Sequence, residues 1–119
     1  MTGQDLITKV TNSSYINYDL FFASKINGEE IMRCGIDFIL EDNIDGEQVA
    51  KFVMTSNKIT TNQLNYNDVI YWMNELERKK DKLVFIGMTN GIEKVYCIIN
   101  DIQLENNNII LISNYLSAY

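Results

Sequence analysis

The sequence predicts an α+β fold, built as two tandem helix-hairpin-hairpin units packed as one compact domain with an antiparallel sheet. Three observations lead there: a repeat at a fixed offset, Asn-Gly turns between apolar runs, and a helical apolar stripe ahead of each run. The repeat is anchored by Asn27-Gly28 with Cys34 and by Asn90-Gly91 with Cys97. Each cysteine stands seven positions after its asparagine, and the copies are 63 positions apart. The same offset matches Asp5 to Asp68, Ile7 to Ile70, Leu20 to Leu83, Phe22 to Phe85, Glu30 to Glu93 and Ile36 to Ile99. The ends match as Ser56-Asn57 against Ser113-Asn114 once a short insertion in the first copy is allowed. The chain of 119 residues then reads as a single domain, with one repeat over about 2–57, a linker at 58–64 and a second repeat over about 65–114.

Each repeat opens on a helix signal. Thr2-Gly3-Gln4-Asp5 and Asn65-Tyr66-Asn67-Asp68 place a capping oxygen first and a carboxylate three residues later, the pattern that satisfies the free N–H groups of a first turn. Leu6, Ile7 and Val10 form a short apolar stripe that ends at Asn12-Ser13-Ser14. Val69, Ile70, Met73 and Leu76 form a longer one, followed by Arg78, Lys79, Lys80 and Lys82, where cations suit a helix C-terminus. A strand follows each helix, Leu20–Ala23 and Leu83–Ile86, and then an Asn-Gly turn that tolerates positive φ at both residues. The returning strands alternate, with Met32, Cys34 and Ile36 on one face in the first copy and Val95, Cys97 and Ile99 in the second. The second hairpin of the first copy reads as Phe38–Leu40 and Phe52–Met54 around the insertion. In the second copy it reads as Ile102 and Leu104, the turn Asn106-Asn107-Asn108, and Ile109–Ile112.

Composition narrows the chemistry. Apolar residues make up 46% of the chain, enough to bury a core. No run approaches the ~18 apolar residues of a membrane span, and Met1–Asp5 carries no secretory pattern, so a cytoplasmic protein is expected. There is no histidine, which removes the usual general base near neutral pH and the commonest zinc ligand. The formal charge of −6 argues against direct contact with nucleic acid. No phosphate loop, nucleophile elbow or recognisable carboxylate pair is present, and neither an enzyme nor a cofactor is expected.

Two groups of residues stand out as candidate protein contacts. The insertion carries Glu41, Asp42, Asp45 and Glu47, an acidic segment that the second copy lacks. Glu41-x-Asn43-x-Asp45-Gly46 resembles the start of a calcium loop, but Phe52 stands where the closing bidentate glutamate belongs, so a solvated acidic turn is expected and no metal. The other group is Tyr71 and Trp72, whose counterparts in the first copy are Thr8 and Lys9. Trp72 either lies beside the stripe of Val69, Met73 and Leu76 or belongs to an aromatic contact surface. Cys34 and Cys97 occupy equivalent inward positions, as small buried hydrophobes or as a disulfide across a pseudo-twofold axis.

The Asp5–Ile7 and Asp68–Ile70 segments, each followed by an apolar strand, an Asn-Gly turn and an Ile-rich hairpin, resemble small α+β proteins of phages and prophages of Gram-positive bacteria. That group includes anti-CRISPR-type inhibitors of host defence. The resemblance implies a non-enzymatic inhibitor that binds a host protein, such as a nucleic-acid-handling defence effector, and it assigns no individual residue. The alternatives are a toxin immunity protein and a sponge for a nucleotide or other small molecule. A homo-oligomer stays open, because exposed edge strands can pair between chains.

Overall fold

A computed structural model describes residues 1–11, 19–54, 64, 66–75, 80–89 and 92–114. Asn12-Ser13-Ser14, Ser56-Asn57, residues 58–63 of the expected linker, Leu76, Arg78, Lys79, the Asn90-Gly91 turn and the Val95 side chain lie outside the described residues.

Helix α1 (Gly3–Thr11) starts on a reciprocal cap. The Thr2 N–H donates to Asp5 Oδ2 at 2.9 Å, and the Asp5 N–H donates to Thr2 Oγ1 at 3.3 Å. Strands β1 (Asp19–Ile26) and β2 (Glu29–Gly35) meet at Asn27-Gly28, where φ is 53° and 82°. Strands β3 (Phe38–Ile44) and β4 (Glu47–Met54) meet at Asp45-Gly46, where φ is 51° and 84°. Helix α2 (Tyr66–Glu75) leads to β5 (Lys82–Thr89) and β6 (Ile92–Ile98). The last hairpin, β7 (Asp101–Glu105) and β8 (Asn108–Ser113), turns on Asn106-Asn107, with φ of 44° and 70°. All three described turns have positive φ at both central residues, the type I′ geometry whose twist matches a hairpin.

The pairing between hairpins corrects the α+β expectation. The protein is mostly β, with 61% of the described residues in strands, and its two sheets are mixed rather than antiparallel. One sheet has the order β2-β1-β8-β7 and the other β3-β4-β5-β6. Each sheet therefore takes one hairpin from each half of the chain, so two self-contained helix-hairpin-hairpin units are not what is seen. The central pairs, β1 with β8 and β4 with β5, run parallel. The reason lies in composition: Leu20–Ala23, Phe52–Met54, Leu83–Ile86 and Ile109–Ile112 are apolar at successive positions, which suits strands covered on both faces. Local signals mark each hairpin but carry nothing about which hairpin it joins.

Two smaller expectations also change. The acidic segment, expected as a solvated turn, is mostly strand: Glu41, Asp42 and Glu47 lie within β3 and β4 and only Asp45-Gly46 forms the turn. It lengthens a hairpin: Phe38 pairs with Val53, 15 positions on, whereas Asp101 pairs with Ile112, 11 positions on. Lys82, expected to follow a helix end, opens β5 and pairs with Val49.

The registers repeat from one half to the other. Leu20 stands opposite Ile109 and Phe22 opposite Leu111; at the 63-residue offset, Leu83 stands opposite Ala50 and Phe85 opposite Phe52. The Leu20 N–H donates to the Leu64 carbonyl and the Leu83 N–H to the Met1 carbonyl, both at 3.0 Å. The Asp37 N–H donates to Val53 at 2.8 Å, as Asn100 does to Ile112 at 2.7 Å. Between the sheets, Phe22 and Phe85 stack with centroids 3.7 Å apart and planes within 4°. Leu6 and Val10 of α1, Val69 and Met73 of α2, and the inward residues of both sheets join one cluster around that pair.

The turns supply a test. Gly28→Ala places a Cβ at φ 82°, where no neighbour obstructs it but the backbone itself disfavours it. Urea unfolding is expected to show a loss of about 1 kcal/mol for this variant. Asn107→Gly relieves the same strain and adds unfolded-chain entropy, so its stability should stay within about 0.5 kcal/mol of the parent.

Candidate functional site

The β3–β4 hairpin carries the four acidic candidates, and the pleat divides them. Glu41 and Asp42 are successive residues of β3 and point to opposite faces. Asp42 pairs with Lys51 of β4 at 2.5 Å, and the Lys51 ammonium lies 6.0 Å from the ring centroid of Tyr96 on β6. Lys51 is mostly buried, and it crosses a face whose centre is Val49, Val84 and Ile86. Glu47 pairs with Lys82 at 3.1 Å, joining β4 to β5. Asp45 is exposed in the turn, which is closed by the Gly46 N–H donating to Asn43 Oδ1 at 3.0 Å. Asp42 and Glu47 thus tie the hairpin to lysines across the sheet, while Glu41, opposite Ala50, and Asp45 in the turn are exposed at its far end.

The other sheet has a corresponding polar strap. Arg33 of β2 pairs with Glu30 at 2.6 Å and with Glu105 of β7 at 3.6 Å. Lys25 of β1 donates to Gln103 Oε1 of β7 at 3.0 Å. Both reach between the halves over Ala23, Ile110 and Ile112, which are buried. Long aliphatic stems of this kind cover apolar surface while keeping their charged ends wet.

Tyr71 and Trp72 occupy the outward side of α2. Tyr71 is 60% exposed and Trp72 36%, with ring centroids 6.2 Å apart and planes at 79°, an edge-to-face pair. Val69 and Met73 point the other way, into the core. Trp72 is therefore half covered at the margin of the core stripe rather than part of it. The structure does not bring the two candidate groups together on one element. The acidic hairpin lies in the sheet whose β5 is bonded to Met1, ahead of α1, whereas Leu64, ahead of α2, is bonded to β1 of the other sheet.

Cys34 and Cys97 are free and buried. Burial, with the charge of Asp37 nearby, pushes the Cys34 thiol up to about 12. Burial also raises that of Cys97, against the pull of a hydrogen bond to Ser113. Both are protonated near neutral pH, which makes them poor nucleophiles. Among the described residues no cluster of three or more Cys, Asp or Glu is arranged to hold a metal ion. No described helix is long and apolar enough to cross a membrane.

Compared with protein-family models, curated proteins and solved structures, the chain matches none. Two features of the site were not read from the sequence: Lys51 and Lys82 as partners of the acidic hairpin, and the carboxylates that accompany the aromatic pair on α2. The first depends on cross-strand neighbours and was hidden. The second was available in the helical spacing of Asp68, Tyr71, Trp72 and Glu75.

The hydrogen bond and ion pair from Lys51, with the Asn43 N–H, hold the Asp42 carboxyl below the usual carboxylate range. Bonds from Thr2 do the same for Asp5. A carboxyl lowered in the folded state contributes stability above the ordinary carboxylate pKa, and this is lost as pH falls through the lowered value. Urea midpoints measured from neutral pH down through the carboxylate range should therefore fall less steeply for Asp42→Asn than for the parent. An unchanged slope would show that the pair adds nothing.

Proposed function

We propose that the protein is a non-enzymatic, cytoplasmic binding protein, an inhibitor encoded by a phage or mobile element that occupies a host defence protein. The observation that carries this reading is the exposed Tyr71–Trp72 pair on α2. Exposed Trp and Tyr are enriched among residues that dominate protein interfaces. The positions one repeat earlier, Thr8 and Lys9 on α1, are polar, so the packing of a helix on this core does not call for aromatic rings there. The acidic end of the β3–β4 hairpin, Glu41 and Asp45, supplies a second contact of the sign that suits a nucleic-acid-handling partner. The class of partner rests on the resemblance of the Asp5–Ile7 and Asp68–Ile70 segments to those of small phage proteins.

The test is capture of partners by the tagged protein from a lysate of a Gram-positive host, identified by mass spectrometry. A stoichiometric defence protein is expected, and Trp72→Ala should weaken its binding by about 2 kcal/mol, roughly thirtyfold. Glu41→Lys with Asp45→Asn should weaken it less and make it less sensitive to salt. A preparation that captures no partner, yet melts at a higher temperature with cyclic nucleotides, would replace this reading with a small-molecule sponge.

A further inference from the structure

The exposed face of α2 combines two chemistries at one helical spacing. Asp68, Tyr71, Trp72 and Glu75 stand at i, i+3, i+4 and i+7, which puts them on adjacent turns of one side. All four are exposed, Trp72 least, while Val69 and Met73 are buried on the other side. Along the helix the rings of Tyr71 and Trp72 lie between a carboxylate one turn before and a carboxylate one turn after. The edge-to-face angle of 79° leaves the two ring planes nearly perpendicular, so they form a corner rather than a flat plate.

We infer that this face is a docking surface for an arginine-bearing segment of a protein partner. A guanidinium suits it on three counts. It stacks on aromatic faces and is attracted by their negative quadrupole. It is planar and weakly hydrated, so it leaves water for such a site more readily than an ammonium does. Its N–H groups can also reach a flanking carboxylate while the plane rests on a ring. The net charge of −6 adds long-range attraction for a basic segment and opposes nucleic acid at the same place. The other helix provides an internal comparison: α1 carries Asp5, Thr8 and Lys9 at the corresponding positions, and Gln4 donates to Thr8 at 3.1 Å. There the rings are missing and a cation occupies the centre of the face, so the same core is built without this surface.

The inference rests on the reading of the protein as a binder and specifies what the aromatic pair holds. Trp72 is the single tryptophan of the chain, so its emission reports directly on the proposed surface. The experiment titrates an acetylated, amidated hexa-arginine peptide into the full-length protein at low salt and follows that emission. A saturable change is expected. Tyr71→Ala, and separately Asp68→Asn with Glu75→Gln, should each weaken it about fivefold. Repeated at about 0.15 M salt, where charges more than ~8 Å away are screened, Glu41→Lys with Asp45→Asn should leave the affinity within about twofold, and a hexa-lysine peptide should bind more weakly. All of these variants change exposed positions, and far-UV circular dichroism checks that each keeps the fold. Emission that does not respond to the peptide, or a response that survives both α2 variants, would overturn the assignment. If the surface fails in this way but a captured partner is lost on altering the acidic hairpin, the binding reading stands without it; if the protein also captures nothing, both fall.

Discussion

Parallel pairing between strands from opposite halves of the chain, closed over the stacked rings of Phe22 and Phe85, is the constraint on which the remaining structure depends. A hairpin can form from local signals, but two parallel strands cannot be joined by a tight turn. β4 reaches β5 only through the segment that contains α2, and β1 waits for β8 at the far end of the chain. Until both joins are made, each hairpin exposes an apolar face and a row of unpaired backbone groups. Once they are made, the inner faces of both sheets and the stripes of both helices close into one cluster. The segments ahead of the helices are bound in as well, since Met1 accepts from Leu83 and Leu64 from Leu20.

A core made this way leaves its exterior free to vary. The inward positions of the two halves carry residues of similar size, including Leu20 and Leu83, Phe22 and Phe85, Cys34 and Cys97, and Ile36 and Ile99, all buried. Outward positions diverge more: Thr8 and Lys9 stand where the second half has Tyr71 and Trp72, and the β3–β4 hairpin outgrows β7–β8. Packing explains the first set. It does not require the second, which is why the differences between the halves are the natural place to look for contacts with other molecules. The polar straps are intermediate, because Lys51 and Arg33 serve the sheets they cross while also setting the charge of the outer faces.

Much of the local structure could be read from the residues. The turn at Asn27-Gly28 follows from residues that accept positive φ, and the Thr2/Asp5 cap follows from spacing. What could not be read was pairing at long range. The Asp45-Gly46 turn carries the same kind of signal as Asn27-Gly28, but Glu41, Asp42 and Glu47 break the apolar run and make the ends of two strands read as part of an acidic turn. The positions are polar because Asp42 and Glu47 answer Lys51 and Lys82 across the sheet. Runs such as Ile109–Ile112, apolar at every position, suit strands covered on both faces but do not say which strand lies beside them. At the candidate site, Tyr71 and Trp72 stand out by their absence from the first half, and the carboxylates beside them show only once the helical spacing of Asp68, Tyr71, Trp72 and Glu75 is followed.

Through exchanged hairpins, the two halves form one cooperative structure. Native-state hydrogen exchange at increasing, sub-denaturing urea tests it most directly. The core amides of β1 and β4, from the first half, and of β5 and β8, from the second, should converge on one opening free energy equal to that of global unfolding. Two separate values, one shared by β1 and β4 and a different one by β5 and β8, would mean that each half holds itself together and that the exchanged pairing does not unite them.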